Sequence, residues 1–207
     1  MLFSDQTNKK NTDGFVMGTV SDTNHKRISF MVHTVMNDGG IIPYKNKKGD
    51  VICRYASSED DPKRAIIYFP LYVNEDLIDH VASYEDLAAQ QAGERGRDYI
   101  PSMKRGSNSM FDVVDKLKVK LVVDHRTGAI RTPIYVMDCK SNEKKMNITS
   151  ISEIEKMMKD KRFIPDHAIG PEITARIDLD QYWMNKNNLG VIYHCTKLVF
   201  HLNANHE

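Results

Sequence analysis

The chain has 207 residues, with 29 Lys and Arg against 28 Asp and Glu, a formal net charge of +1 and 41% hydrophobic residues. That length can bury a core without disulfides or a metal, and the near-neutral balance argues against a generally basic polyanion binder while leaving room for a local cationic groove. Cys53, Cys139 and Cys195 are scattered and odd in number, which argues against a disulfide framework; with no basic-then-apolar leader and no apolar run of about eighteen residues, an unsecreted protein without a membrane partner is expected.

Residues 1–26 are polar, with Phe15, Val16, Met17 and Val20 as the apolar contacts on offer, and are expected to form a flexible N-terminal arm. From Arg27 the pattern changes. Ile28, Phe30 and Val32 alternate with Ser29, Met31 and His33, the period of two that marks a half-buried strand. Asn37-Asp38-Gly39-Gly40 is a strong turn signal, and Val51–Tyr55 reads as a second strand, with Arg54 and Tyr55 beside the Lys47-Lys48 pair. Ala65–Tyr72 is an apolar, aromatic strand bounded by proline. Asn74 is placed to cap a helix running to about Gln91, with Leu77, Ile78, Val81, Tyr84, Leu87 and Ala88 at helical spacing and Gly93 as its stop.

Gly93–Met110 has glycines, a proline and no apolar period, so a long surface loop is expected. Arg95, Arg97, Lys104 and Arg105 flank Tyr99 there, a pattern that suits a contact with phosphates and bases and equally a solvated linker.

The most two-sided stretch is Asp115–Met137. Leu117, Val119 and Leu121 alternate with Lys116, Lys118 and Lys120, which puts apolar side chains on one face of a strand and ammonium groups on the other. Asp124–Gly128 is a turn, and Ala129–Met137 is expected to return as the second strand of an antiparallel hairpin, with Thr132-Pro133 marking an edge or bulge because proline lacks an N–H. A helix capped at Ser150 and running to about Lys161 follows, with Ile151, Ile154, Met157 and Met158 as its stripe. Ile173–Leu179 and Val191–Leu202 read as further strands around a turn at Asn185–Gly190. The expected fold class is a β-rich α+β domain, a small barrel, spanning 27–204 as one unit with 74–110 as a helix-and-basic-loop insertion.

No paired Cys/His spacing, no P-loop and no G-x-S-x-G elbow is present, so no metal, no cofactor and no catalytic residue is assigned, and the chain is expected not to be an enzyme. The acidic pairs Asp60-Asp61 and Asp178/Asp180 keep a metal-dependent nuclease open as a third reading, against turn and solvent-face roles for the same residues. A cationic sheet face beside aromatic rings suits single-stranded nucleic acid. Lys116, Lys118, Lys120 and Arg131 would supply charge, and Tyr55, Tyr68, Tyr99, Tyr135 and Trp183 are the stacking candidates, with Trp183 placed rather as a buried anchor. For the strand lysines, an ordinary solvated face fits the pattern equally well.

KLKVKLVVD, TGAIRTPIYV, SISEIEKMM, ITARIDLDQYW and VIYHCTKLVF, in that order between Leu117 and Leu202, resemble the single-stranded-DNA-binding OB-fold proteins of nucleocytoplasmic large DNA viruses such as African swine fever virus. The resemblance implies an OB-fold-like barrel that coats single-stranded DNA during viral replication in the host-cell cytoplasm, with packaging in the virion as a further expectation. Single-stranded DNA, or RNA, is then the expected partner, and a homo-oligomer is also admitted. The alternative, from a different class, is a virion or scaffold protein that assembles through its sheet edges.

Overall fold

The computed structural model describes residues 16–22, 24, 26–36, 41–43, 65–70, 75–92, 98–100, 103–104, 116–124 and 126–203. The strands are β1 (Val16–Thr19), β2 (Ile28–Val35), β3 (Ile41–Pro43), β4 (Ala65–Pro70), β5 (Asp98–Ile100), β6 (Met103–Lys104), β7 (Lys116–Leu121), β8 (Ile134–Met137), β9 (Glu143–Met146), β10 (Glu172–Met184) and β11 (Asn188–His201). Helix α1 (Glu75–Ala92) lies between β4 and β5, and α2 (Ile151–Lys159) between β9 and β10. The class is α+β and β-rich, as the alternating patterns predict. Val16–Thr19, inside the stretch expected to be an arm, is strand β1, paired antiparallel with Gln181–Met184.

The sheet is built on the β10–β11 hairpin. Asn185 closes its turn: the side-chain oxygen accepts the N–H groups of Asn187 and Asn188, and its own N–H reaches the Asn188 carbonyl. One edge of β10 is covered end to end by β2 and then β1, both antiparallel. The far edge of β11 is covered in sequence by β5, β7 and β8, all parallel to it. Beyond β7 lie β4 and β3, and beyond β8 lies β9. Among the described residues β2 approaches β4 in space without pairing to it, so the described sheet is curved but not closed.

Two glycines are explained by large rings that cross them. Tyr182 lies over its register partner Gly18, and Trp183 over Gly190, where a Cβ would stand 2.7 Å from the indole Nε1. Trp183 is accordingly half-buried, packed on the sheet.

The inner face is apolar. Ile28 and Val32, Ile173 to Leu179 at alternate positions, Leu117, Val119 and Leu121, and Tyr193, Cys195, Leu198 and Phe200 are all buried in one core. α1 covers one part of that face with Val81, Glu85 and Ala88, and its Tyr84 stacks on Phe30, whose ring meets the edge of Tyr193. α2 starts where the sequence predicts. Ser150 is its N-cap and forms a reciprocal capping box with Glu153, whose carboxyl is held below the usual range by the N–H of Thr149 and the Ser150 hydroxyl and N–H. The helix ends at Lys159, and a single 3-10 turn, capped by Asp160, delivers Phe163 against Phe200.

The expected hairpin between Lys116–Leu121 and Ala129–Met137 does not form. The turn itself is present: Asp124 accepts the N–H of Gly128, which has φ 70°, and its own N–H meets the Ala129 carbonyl. Pairing then stops after one bridge, Val123 with Ile130. The chain resumes its former direction, so β7 and β8 lie one after the other along β11. Thr132 makes that possible. Its buried hydroxyl accepts the Val122 N–H at 2.9 Å and donates to the Cys195 carbonyl at 2.8 Å, filling the gap in the ladder where Pro133 has no N–H to give. Pro133 offers its carbonyl to Leu198 instead.

Thr132→Val keeps the side chain's shape and orphans both backbone groups, so it should lower stability by about 1–3 kcal/mol, read as a lower urea midpoint at unchanged m-value. Thr132→Ser should recover most of the loss.

Candidate nucleic-acid interface

Paired residues of adjacent strands share a face, so the register defines the side of the sheet opposite the helices. One row runs Ser29, Asp178, His194, Lys120 across β2, β10, β11 and β7. The next runs Met31, Arg176, Lys197. A third runs His33, Thr174, Val199, Tyr135, Lys145 and ends on β9. Ser29, Met31, His33, Arg176 and Lys145 are exposed, Met31 at 53%, whereas every apolar neighbour in β10 between them points inward. Among the described residues, both helices contribute to the inner core.

The strand lysines fall on this outer side. Leu117, Val119 and Leu121 are fully or nearly buried, and Lys118 and Lys120 are half-exposed. Lys104 of β6 is the register partner of Lys116, which sets part of the predicted basic loop directly beside the lysine strand. The side chains of Lys116, Lys104 and Tyr99, and residues Arg54, Tyr55, Arg95, Arg97 and Arg105 entirely, lie outside what the structure describes. Arg131 follows the turn, and its guanidinium reaches back to the Asp124 carboxylate at 2.6 Å and holds that carboxyl far below the usual range. Tyr135 is half-buried, with the Lys197 ammonium 4.7 Å above its ring centroid.

Lys197, Arg27, Ser29, Arg176 and Thr196, which the sequence does not mark as site residues, complete the face around Asp178. Lys197 reaches from the Tyr135 ring to Glu143 at 2.5 Å. Asp178, read from its spacing as a solvent-facing carboxylate, is 4% exposed in its side chain because other groups roof it. Ser29 donates to its Oδ1 at 2.7 Å, Thr196 does so at 3.3 Å, and Arg27 donates to Oδ2 at 3.2 Å. Arg176 stands beside it, with Nε 3.7 Å from Oδ1 and bonded to Ser29 Oγ at 3.0 Å. A β-bulge at Thr196 aims that hydroxyl at the carboxylate. The sequence shows Thr174, Arg176 and Asp178 as the polar half of an alternating strand; it does not show that Arg27 and Ser29 arrive across from them.

At the far end, Thr174 Oγ1 lies 2.8 Å from His33 Nδ1 and 2.8 Å from His201 Nε2, while His33 Nε2 faces Glu172 at 3.0 Å. One hydroxyl proton serves both rings only if one accepts and the other donates. With His33 donating from Nε2 to Glu172, its Nδ1 accepts from Thr174, and His201 donates from Nε2 to the Thr174 oxygen.

Burial pushes the Cys195 thiol up to about 12, far from a thiolate at neutral pH. Asp178 has its lone pairs engaged by guanidinium and hydroxyl groups, a poor state for holding a cation. Among the described residues no cluster of His, Cys, Asp or Glu has the arrangement of a metal site, and no helix is long and apolar enough to cross a membrane.

Burial holds the His201 pKa below its usual value, with the nearby His33 acting in the same direction and Glu172 and Glu143 opposing. A group whose folded pKa is depressed takes up more protons when unfolded, so stability rises with pH. The loss on acidification should begin near the ordinary histidine value of about 6.5 and continue below it. Urea midpoints should fall more between pH 7.5 and 5.5 in the wild type than in His201→Gln; equal slopes would remove His201 as the cause. No family model matches this chain, and no curated protein matches it in sequence.

Proposed function

We propose that the protein binds single-stranded nucleic acid, DNA in the first place, without sequence preference, on the face of the sheet opposite the two described helices. The observation that carries this reading is the register itself. It brings Lys118 and Lys120 of β7, Lys197 of β11, Arg176 of β10 and Lys145 of β9 onto one surface with the Tyr135 ring. Cations gathered on one face of a sheet can follow a phosphate backbone, and an aromatic ring among them can stack a base for about 1–3 kcal/mol.

The carboxylates on the face do not cancel it. The Lys197–Glu143 pair is partly exposed, and such pairs contribute about 0–1 kcal/mol, so a phosphate can take over the cation at little cost. Asp178 is buried and outnumbered by Arg27 and Arg176. The near-neutral total charge is therefore compatible with a cationic face.

We further propose a barrel of OB type, supported by the curvature that brings β2 towards β4, working in the protection of viral single strands. Assembly through sheet edges draws less support, since the outer strand β9 carries Glu143, Lys144 and Lys145, charges that discourage edge-to-edge pairing.

A labelled oligo-dT should bind with an affinity that falls steeply with salt, measured by fluorescence anisotropy. Lys118→Glu with Lys120→Glu should weaken binding at least tenfold at about 0.1 M salt, because each lost cation costs one released counterion. Tyr135→Ala should weaken it with little change in salt slope. Absence of binding by the wild type at low salt would end the proposal.

A further inference from the structure

We propose that Arg176 and Arg27 form a phosphate-binding subsite and that Asp178 is the carboxylate that positions them, an inference that rests on reading the outer sheet face as a nucleic-acid interface. The arrangement is asymmetric in charge: two guanidiniums converge on one buried carboxylate. Arg27 and Arg176 remain 62% and 56% exposed in their side chains while the carboxylate between them is 4% exposed, so the anchor is inside and the donors are outside.

Arg176 shows which end is held. Its Nε donates to Ser29 Oγ, which in turn donates to Asp178 Oδ1. Among the described residues its two terminal nitrogens make no hydrogen bond, and these are the paired donors that match two phosphate oxygens. The partner across the strand pair is Lys197, a like charge directly opposite, which is unfavourable unless an anion lies between or near the two. Lys197 is relieved by Glu143, and among the described residues Arg176 has no second carboxylate. His194, the register partner of Asp178, and Lys120 beyond it extend the same row.

A phosphodiester of a single strand fits this better than a free carboxylate ligand. Arg27 and Arg176 are exposed, and the register continues from Arg176 to Lys197 on the same face as Tyr135, so the donors form a line along the sheet of the kind a phosphate backbone follows.

Three measurements on the full chain test the subsite. Arg176→Gln should weaken oligo-dT binding about fivefold at ~0.1 M salt and reduce the slope of log K against log salt by roughly 0.7, the contribution of one phosphate on a single strand. Arg176→Lys should keep the slope. Asp178→Asn removes a negative charge, so simple attraction would tighten binding; a positioning carboxylate predicts weaker binding, with the melting temperature recorded alongside. The third is a titration of inorganic pyrophosphate followed at the Arg176 Nε–H resonance, which should shift in the wild type and less in Asp178→Asn.

An unchanged slope in Arg176→Gln, tighter binding by Asp178→Asn, or an Arg176 resonance that ignores pyrophosphate would each overturn the subsite. Oligo-dT binding with an unchanged slope would leave the broader reading standing without it. A pyrophosphate response in a protein that binds no oligo-dT would keep the anion site and discard the nucleic acid.

Discussion

The ladder between β10 and β11 is the constraint on which the rest of the structure depends. Both strands are long, Glu172–Met184 and Asn188–His201, and every other described strand is paired to one of them directly or through one or two neighbours. Short strands that would be marginal alone are placed in series along its two edges. β1 and β2 divide one side, and β5, β7 and β8 divide the other. Its bulges matter as much as its length. The extra residue at Thr196 re-phases β11 so that Tyr193 and Cys195 before it, and Leu198 and Phe200 after it, all face the core, while Lys197 stays outside.

Local pattern was legible wherever one face meets water. The lysine strand, both helices, the Ser150 cap and the two long C-terminal strands follow from periodicity and from capping chemistry. Partner choice was not. A period of two says which side chains point together and nothing about which strand lies beside them. Asp124–Gly128 makes a sound turn, yet the chain behind it pairs with β11, because that strand offers a long unfilled edge and Thr132 supplies the hydrogen bonds Pro133 withholds. Asp178 illustrates the same limit for chemistry. Its spacing marks a polar position, while its burial comes from Arg27 and Ser29, some 150 residues away in the chain.

The electrostatic picture that follows is of a nearly neutral chain with an uneven surface. Among the described residues, Glu143 on the outer sheet face is tied to Lys197 and Glu172 to the His33 ring, whereas Arg176 keeps its terminal donors outward and Lys197 is poised over an aromatic ring. Exposed ion pairs of this kind hold side chains in place weakly and exchange partners readily. The inner face, by contrast, spends its polar groups sparingly: Thr132 is fully engaged, and Tyr193, whose ionisation burial pushes far up, carries the one buried side-chain hydroxyl among the described residues without a hydrogen bond. The two faces are thus specialised, one for packing and one for contact with charge.

The central claim is that nucleic acid lies on the outer face of the β10–β11 sheet, and photo-crosslinking locates it most directly. An oligo-dT carrying 5-iododeoxyuridine, irradiated with the protein and digested for mass spectrometry, should attach to peptides of β8, β10 and β11, with Tyr135 as the leading site. Crosslinks confined to α1 or α2, which serve the inner face, or none at all under conditions of saturated binding, would contradict it.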